Sequence, residues 1–205
     1  MSNCLICDEV IEEDFVNLFV SFNKICYGCL KSFKIRNDVF YIEGVKGRIL
    51  YYYDEFFRSL LYRYKGCGDY LLKDTFLQMK IKELRVKYKG YSLVLAPSNK
   101  EIEDKRGFNH LEGIFECLNF PIIKCFKKAK LWKQSDKKLK DRGDIQKVIK
   151  LDKSCLNNVK RVLIVDDVLT SGSTIRTIIR QLPSCVDKKV LVLSSNCRIV
   201  KNEIV

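Results

Sequence analysis

Two acids and a run of small hydroxyl residues stand close together in the stretch Arg161-Val-Leu-Ile-Val-Asp-Asp-Val-Leu-Thr-Ser-Gly-Ser-Thr-Ile175. Their chemistry suits a ligand that carries both hydroxyls and a phosphate. Asp166 and Asp167 offer carboxylate oxygens to neighbouring sugar hydroxyls, directly or through Mg2+. From Thr170 to Thr174 every residue is Thr, Ser or Gly. Backbone of that composition can wrap closely round a small anion, with hydroxyls and the amides of a following helix N-terminus as donors. An ordinary helix cap would account for the hydroxyl run, but not for the paired acids before it. Val162 to Val165 are four consecutive branched aliphatics, the pattern of a strand covered on both faces in a parallel sheet. That strand places Asp166 and Asp167 at its carboxyl end, the edge where open α/β sheets bind ligands.

Four cysteines form a second constellation. Cys4-Leu-Ile-Cys7 and Cys26-Tyr-Gly-Cys29 are two C-x2-C knuckles separated by 18 residues, the spacing of a tetrahedral zinc ribbon. Gly28 relaxes the second turn, and Phe15 to Phe22 between the knuckles is apolar and β-prone, as a short hairpin would be. Four protein ligands leave no open position on the metal, so the zinc is expected to be structural. The other six cysteines, Cys67, Cys117, Cys125, Cys155, Cys185 and Cys197, have no pattern and read as small buried hydrophobes.

Around these sites the chain has 205 residues, 47% apolar and 31% charged, enough for one α/β domain with its own core. No stretch approaches 18 uninterrupted apolar residues, and the acidic N-terminus lacks the basic-then-apolar form of a signal peptide. A cytoplasmic protein without membrane insertion is expected. Tyr41 to Tyr53 reads as a β segment with Gly44 and Gly47 as turn signals. Asp54 to Tyr64 has Phe57, Leu60, Leu61 and Tyr64 at helical spacing, and a second amphipathic run extends from Asp69 to about Tyr88. Tyr91 to Pro97 is a second buried-type strand. A helix is expected from about Leu111 to Leu118, another from Ser173 to Leu182, where Pro183 ends it, and a last strand from Lys189 to Ser195. Their order predicts a mostly parallel sheet of four or five strands flanked by helices.

The acid pair and hydroxyl loop closely resemble the 5-phosphoribosyl pyrophosphate (PRPP) motif of type I phosphoribosyltransferases. The resemblance implies that Asp166 and Asp167 hold the ribose 2- and 3-hydroxyls, and that Thr170, Ser171, Gly172, Ser173 and Thr174 hold the 5-phosphate. A strand, a Pro-containing turn and Arg106-Gly-Phe-Asn109 before a helix, with an N-terminal four-cysteine ribbon, are similar to the ComF branch of that superfamily. That branch is associated with bacterial competence and DNA uptake. The resemblance implies a zinc-ribbon module at 1–40 and a phosphoribosyltransferase-like α/β domain at 41–205. It also implies a turn at Ser98, Asn99 and Lys100 facing the pyrophosphate of a Mg2+-PRPP complex. This chain departs from the branch in having Ala96-Pro97-Ser98 in place of a Pro-x-Pro turn, and His110 where Gln is usual. Some members place an Asp base at the position of Thr170, so help from that base is missing here.

Arg106 is, with the two acids, a candidate catalytic residue as an anion contact, because a guanidinium clamps phosphate oxygens bidentately; a solvated charge leading into the helix is the alternative. His110, the one histidine, reads as a hydrogen-bonding surface or cap residue in preference to a catalytic base. From Lys124 to Arg161 fourteen Lys or Arg face four acids, a balance of +10 in a chain of +13. The resemblance to type I phosphoribosyltransferases implies a loop here that closes over the pyrophosphate. Lys133, Gln134, Lys137, Lys138 and Arg142 therefore have three readings: closure over PRPP, contact with single-stranded DNA, or a solvated loop. Lys127 and Lys128 are candidates for the nucleic-acid contact. Trp132 suits base stacking or anchoring of the loop. Two functions are consistent with the whole: transfer of phosphoribose from PRPP to an acceptor with Mg2+, or a non-catalytic PRPP-sensing or single-stranded-DNA-binding protein of DNA transformation.

Overall fold

The computed structural model describes residues 2–11, 24–128, 149–197, 199–200 and 203–204. The expected hairpin at Phe15 to Phe22 lies outside them, as do Trp132, Lys133, Gln134, Lys137, Lys138 and Arg142.

At the N-terminus β1 (Ser2–Asn3) and β2 (Val10–Ile11) pair antiparallel around the first knuckle. Helix α1 (Tyr27–Ser32) starts on the second, where the Cys26 sulfur accepts the Cys29 amide as its cap. Strands β3 (Val39–Ile42) and β4 (Val45–Tyr52) form an antiparallel hairpin. The hairpin turns at Glu43 and Gly44, both at positive φ (50° and 71°), the backbone that a tight two-residue turn requires. Gly47, expected as a second turn, instead lies inside β4 beneath the Phe40 ring, where a side chain would collide.

Helix α2 (Glu55–Lys65) is capped by Asp54, whose Oδ1 accepts the Phe57 amide at 3.0 Å, and it buries the four residues read from its spacing. The amphipathic run that follows is broken. It forms a 3-10 turn at Tyr70–Asp74 and then α3 (Ile81–Lys87). The Thr75 hydroxyl donates to the Leu72 carbonyl at 2.8 Å where the first turn ends, and Phe76 and Leu77 are buried between the two pieces. Burial keeps the period of a helix there while the backbone leaves it.

Beyond β5 (Ser92–Leu95) come α4 (Lys100–Arg106) and α5 (His110–Phe115), the second prolonged to Leu118 by a 3-10 turn. Next are β6 (Ile122–Ile123) and a two-stranded ribbon of β7 (Phe126–Lys128) and β8 (Ile149–Leu151). Then β9 (Arg161–Leu169), α6 (Ser173–Gln181) and β10 (Asp187–Ser195) follow, with β11 (Ile199–Val200) and β12 (Glu203–Ile204) last. The main sheet has the order β11-β12-β3-β4-β10-β9-β5-β6. The five strands from β4 to β6 are mutually parallel. The α/β class with a mostly parallel sheet is therefore as read from the sequence, with three further strands continuing it beyond β4.

Strands β4, β5, β9 and β10 contribute a continuous buried core, including Ile49, Leu50, Leu93, Val94, Val162 to Val165 and Val190 to Leu193. Cys4, Ile11, Ile25 and Phe33 of the N-terminal segment join the same cluster. Of the six unpatterned cysteines only Cys125 is buried. Cys67, Cys155 and Cys185 are exposed, and Cys117 and Cys197 are intermediate, packed against the edge of the core.

The order of strands sets where a ligand can enter. Strand β5 leads through α4 and α5 to β6 on one side, whereas β9 leads through α6 to β10 on the other. The two connections diverge, so a crevice opens between the carboxyl ends of β5 and β9. Register places Leu95 beside Val165, and the Ala96 amide donates to the Val165 carbonyl at 3.0 Å. The Ala96-Pro97-Ser98 turn thus borders Asp166 and Asp167.

Candidate functional site

At the carboxyl end of β9 the two acids have different surroundings. Successive side chains of an extended strand point to opposite faces. Asp166 is half-buried and lines a small pocket of about 30 Å³ with Thr170, Gly172, Ser173, Thr174 and the start of α6. Its Oδ1 accepts the Asp167 amide at 2.9 Å. Asp167 is buried and meets α2 and α5. Its Oδ1 accepts the Val168 amide at 2.6 Å, and its Oδ2 faces Lys65 Nζ at 2.5 Å and His110 Nε2 at 3.2 Å.

These surroundings push the two carboxyls in opposite directions. Burial, with the Asp167 charge beside it, raises Asp166 above the usual carboxylate range. Burial alone would raise Asp167 as well, but the His110 ring N–H and the Lys65 ammonium outweigh it and hold Asp167 well below that range.

Neither Lys65 nor His110 was placed at the site by sequence. Lys65 is the last residue of α2, where a basic residue ordinarily serves the helix C-terminus. No local pattern ties it to an acid 102 residues away. His110 is 8% exposed, not a surface residue, because α5 packs against β9 with the imidazole inward. Its Nδ1 has no hydrogen-bond partner among the described residues. The Tyr64 hydroxyl donates to the His110 carbonyl at 2.9 Å, fastening α2 to α5 beneath the acid.

The hydroxyl loop opens onto the N-terminus of α6. Gly172 occupies the cap position at φ 69° and offers no side-chain acceptor, while the Ser173 amide donates to the Ser171 hydroxyl at 3.4 Å. A Cβ at Gly172 would come within 2.9 Å of Ile42, so both the backbone angle and the close approach require glycine. Ser171 and Ser173 share a hydroxyl contact of 2.8 Å, and Arg176 holds the Ser171 carbonyl at 2.8 Å. The first-turn amides of α6 therefore face the pocket with the helix dipole behind them.

Across the crevice, Ser98, Asn99 and Lys100 are a helix entry. The Asn99 side chain caps α4 by accepting the Glu101 amide at 2.9 Å. Glu103 ties together Ser98 and Asn109, and Lys100 pairs with Asp104 at 3.0 Å. Ser98 and Lys100, with Pro97, Phe108, Lys124 and Lys127, line a cleft of about 790 Å³. Arg106 stacks over the Phe108 ring at 5.6 Å, and its Nε and Nη1 are buried with no hydrogen-bond partner among the described residues. Lys127 is exposed on β7, and Lys128 ends that strand.

The four cysteines converge as their spacing predicts. Their sulfurs all lie within 4.8 Å of one another, with Cys7 and Cys26 at 3.6 Å. Zinc bound to four thiolates at about 2.3 Å would space the sulfurs by roughly 3.8 Å, so the cluster fits that ion. The Ile6 amide donates to the Cys4 sulfur and the Cys29 amide to the Cys26 sulfur, at 3.5 and 3.4 Å. Burial resists ionisation of Cys4, but surrounding backbone N–H groups overcome it and bring the thiol down to about 7. The module docks on α2 through Arg63, which donates to the Ile6 carbonyl at 2.6 Å, and near it through Lys24 and Asp74 at 2.5 Å.

No family model matches the chain. Among curated proteins, competence protein ComFC of Streptococcus pneumoniae is 30% identical over 151 residues, covering 74% of this chain and 68% of that protein. Competence protein ComFC of Bacillus subtilis is 24% identical over 214 residues, covering 84% and 85%. Among solved structures, a hypoxanthine phosphoribosyltransferase from Staphylococcus aureus aligns over 60% of this chain and 62% of that one, with 15% identity and a TM-score of 0.37.

Proposed function

This chain belongs to the ComFC family, and from that premise we propose that its carboxyl-edge crevice binds PRPP and transfers the phosphoribosyl group to an acceptor, in a protein that serves natural competence. The observation that carries the reading is the N-terminus of α6, with glycine at its cap position, opening onto the same pocket as Asp166. Phosphate at the first-turn amides and hydroxyls of residues 170–174 would place a ribose diol toward the acids at the end of β9. The transfer passes through an oxocarbenium-like state with pyrophosphate departing, so cationic charge must meet the leaving group. In this chain Lys100, Lys124 and Lys127 line the cleft on the β5 side.

Asp166, a half-exposed oxygen donor at the crevice, would hold Mg2+ as a carboxylate, the ion taking the place of its proton. Bound with PRPP, that ion would neutralise the departing pyrophosphate. The chain's own residues orient the ribose and hold the 5-phosphate, and Thr170, a neutral hydroxyl, does not supply the carboxylate base that would take a proton from the acceptor. Acceptor activation then rests on the acceptor itself or on groups beyond the phosphate loop. Zinc on Cys4, Cys7, Cys26 and Cys29 is a structural ion in this reading.

Calorimetry with PRPP and Mg2+, followed by a pyrophosphate-release assay with nucleobase and amine acceptors, tests the proposal. Saturable PRPP binding that weakens in Asp166→Ala is expected, and absence of binding by the wild type would overturn it. The +10 balance between residues 124 and 161 favours a second reading, a protein that grips single-stranded DNA without turnover. Binding of an oligonucleotide that weakens steeply with salt and disappears on charge reversal at Lys127 and Lys128 supports it. Insensitivity to salt and to those changes excludes it.

A further inference from the structure

The two acids at the end of β9 are chemically equivalent in the sequence and unequal in the structure. Asp167 is saturated by protein donors: the Val168 amide on Oδ1, and Lys65 Nζ and His110 Nε2 on Oδ2. Its side chain is 9% exposed. Lys65 and His110 reach it from α2 and α5, outside the pocket that Asp166 lines, and the Val168 amide from its own strand. Asp166 accepts one amide on Oδ1 from its own neighbour and turns to the hydroxyl loop. A carboxylate already holding three donors exchanges them for a sugar hydroxyl only at the cost of giving up its pair with the part-exposed Lys65 ammonium and leaving the buried His110 imidazole unpaired.

We propose that the acid pair is divided by role: Asp166 alone reads the sugar hydroxyls, while Asp167 is a positioning residue that anchors Lys65 of α2 and His110 of α5 beneath the site. The proposal rests on the reading that the cradle takes the ribose 5-phosphate end of its ligand. Asp167 acts at one remove from the ligand. By clamping the last turn of α2 and the first of α5 to β9, it fixes the strand end from which Asp166 projects. Lys65 is thereby a structural counter-ion of the site and not a phosphate ligand.

The test uses the full chain and two probes, ribose 5-phosphate and 2-deoxyribose 5-phosphate, whose affinities are compared by calorimetry. Loss of one hydroxyl–carboxylate hydrogen bond corresponds to a preference of roughly tenfold for the ribose form. That preference is expected in the wild type and is expected to vanish in Asp166→Ala. In Asp167→Ala both affinities should fall together with the preference retained, and the thermal midpoint should drop. Lys65→Met, which leaves Asp167 in place with an open oxygen, serves if Asp167→Ala does not fold, and it should also retain the wild-type preference. If Asp167→Ala erases the preference as fully as Asp166→Ala, or if Lys65→Met enlarges it, Asp167 reads a hydroxyl and the division is wrong. Failure of the wild type to bind either sugar phosphate refutes the cradle itself, a distinct result that overturns both readings.

Discussion

At the scale of single residues, Asp166 and Asp167 make opposite contributions to stability as pH changes. Asp167 has a folded value below its unfolded one, so its contribution is complete above the ordinary carboxylate range and is lost as pH falls through the folded value. Asp166 is the reverse. The folded protein keeps a proton that the unfolded chain releases, so its contribution is complete below the ordinary range and declines as pH rises towards neutrality. Half-exposure of Asp166 to the pocket weakens this effect without reversing it. Thermal midpoints followed between about pH 5 and 8 should show this decline in the wild type, and Asp166→Asn should flatten it. Gly172→Ala is expected to cost about 1–2 kcal/mol in chemical denaturation, because alanine is strained at positive φ and its methyl meets Ile42. At this scale the hydroxyl loop and its glycine were legible because their requirements are local. The roles of Lys65 and His110 were not, since a lysine at a helix end and a histidine before a helix each have common local explanations.

At the scale of elements, α2 links three parts of the molecule. Its Asp54 cap fixes where the helix begins, Arg63 holds the first cysteine knuckle, and Lys65 reaches Asp167. Asp54→Ala should destabilise the protein by about 1 kcal/mol, read from the denaturation midpoint. In β4, Gly47→Ala should cost about 1–3 kcal/mol, because the Phe40 ring fills the space that a methyl would take. The helix α2 was readable from its period and cap. Gly47 was misread as a turn because a glycine that ends a strand and a glycine that admits a cross-strand ring look the same in sequence. The run from Asp69 to Tyr88 was misread for a related reason. Its buried positions, Leu72, Phe76, Leu77 and Leu84, keep a helical spacing that the broken backbone does not follow.

At the scale of the whole molecule, the N-terminal segment and the sheet share one hydrophobic cluster, so the cysteine site is mechanically part of the larger fold. Elemental analysis is expected to find one zinc per chain, and chelation should lower the thermal midpoint of the entire protein, not only loosen its N-terminus. A midpoint unchanged by complete zinc removal would contradict this. The sequence by itself determined the parts whose physics is contiguous: the knuckles from thiolate spacing, β9 from its apolar run, and the loop and α6 from residue types at adjoining positions. Tertiary structure alone decided that β9 lies between β5 and β10, which opens the crevice at its carboxyl edge. It also decided that neighbouring acids face different environments, one a pocket and the other an ammonium and an imidazole. The reason is that a strand's alternation says only that Asp166 and Asp167 point to opposite faces. Which remote helices cover each face follows from strand order, and strand order is settled by packing the whole chain.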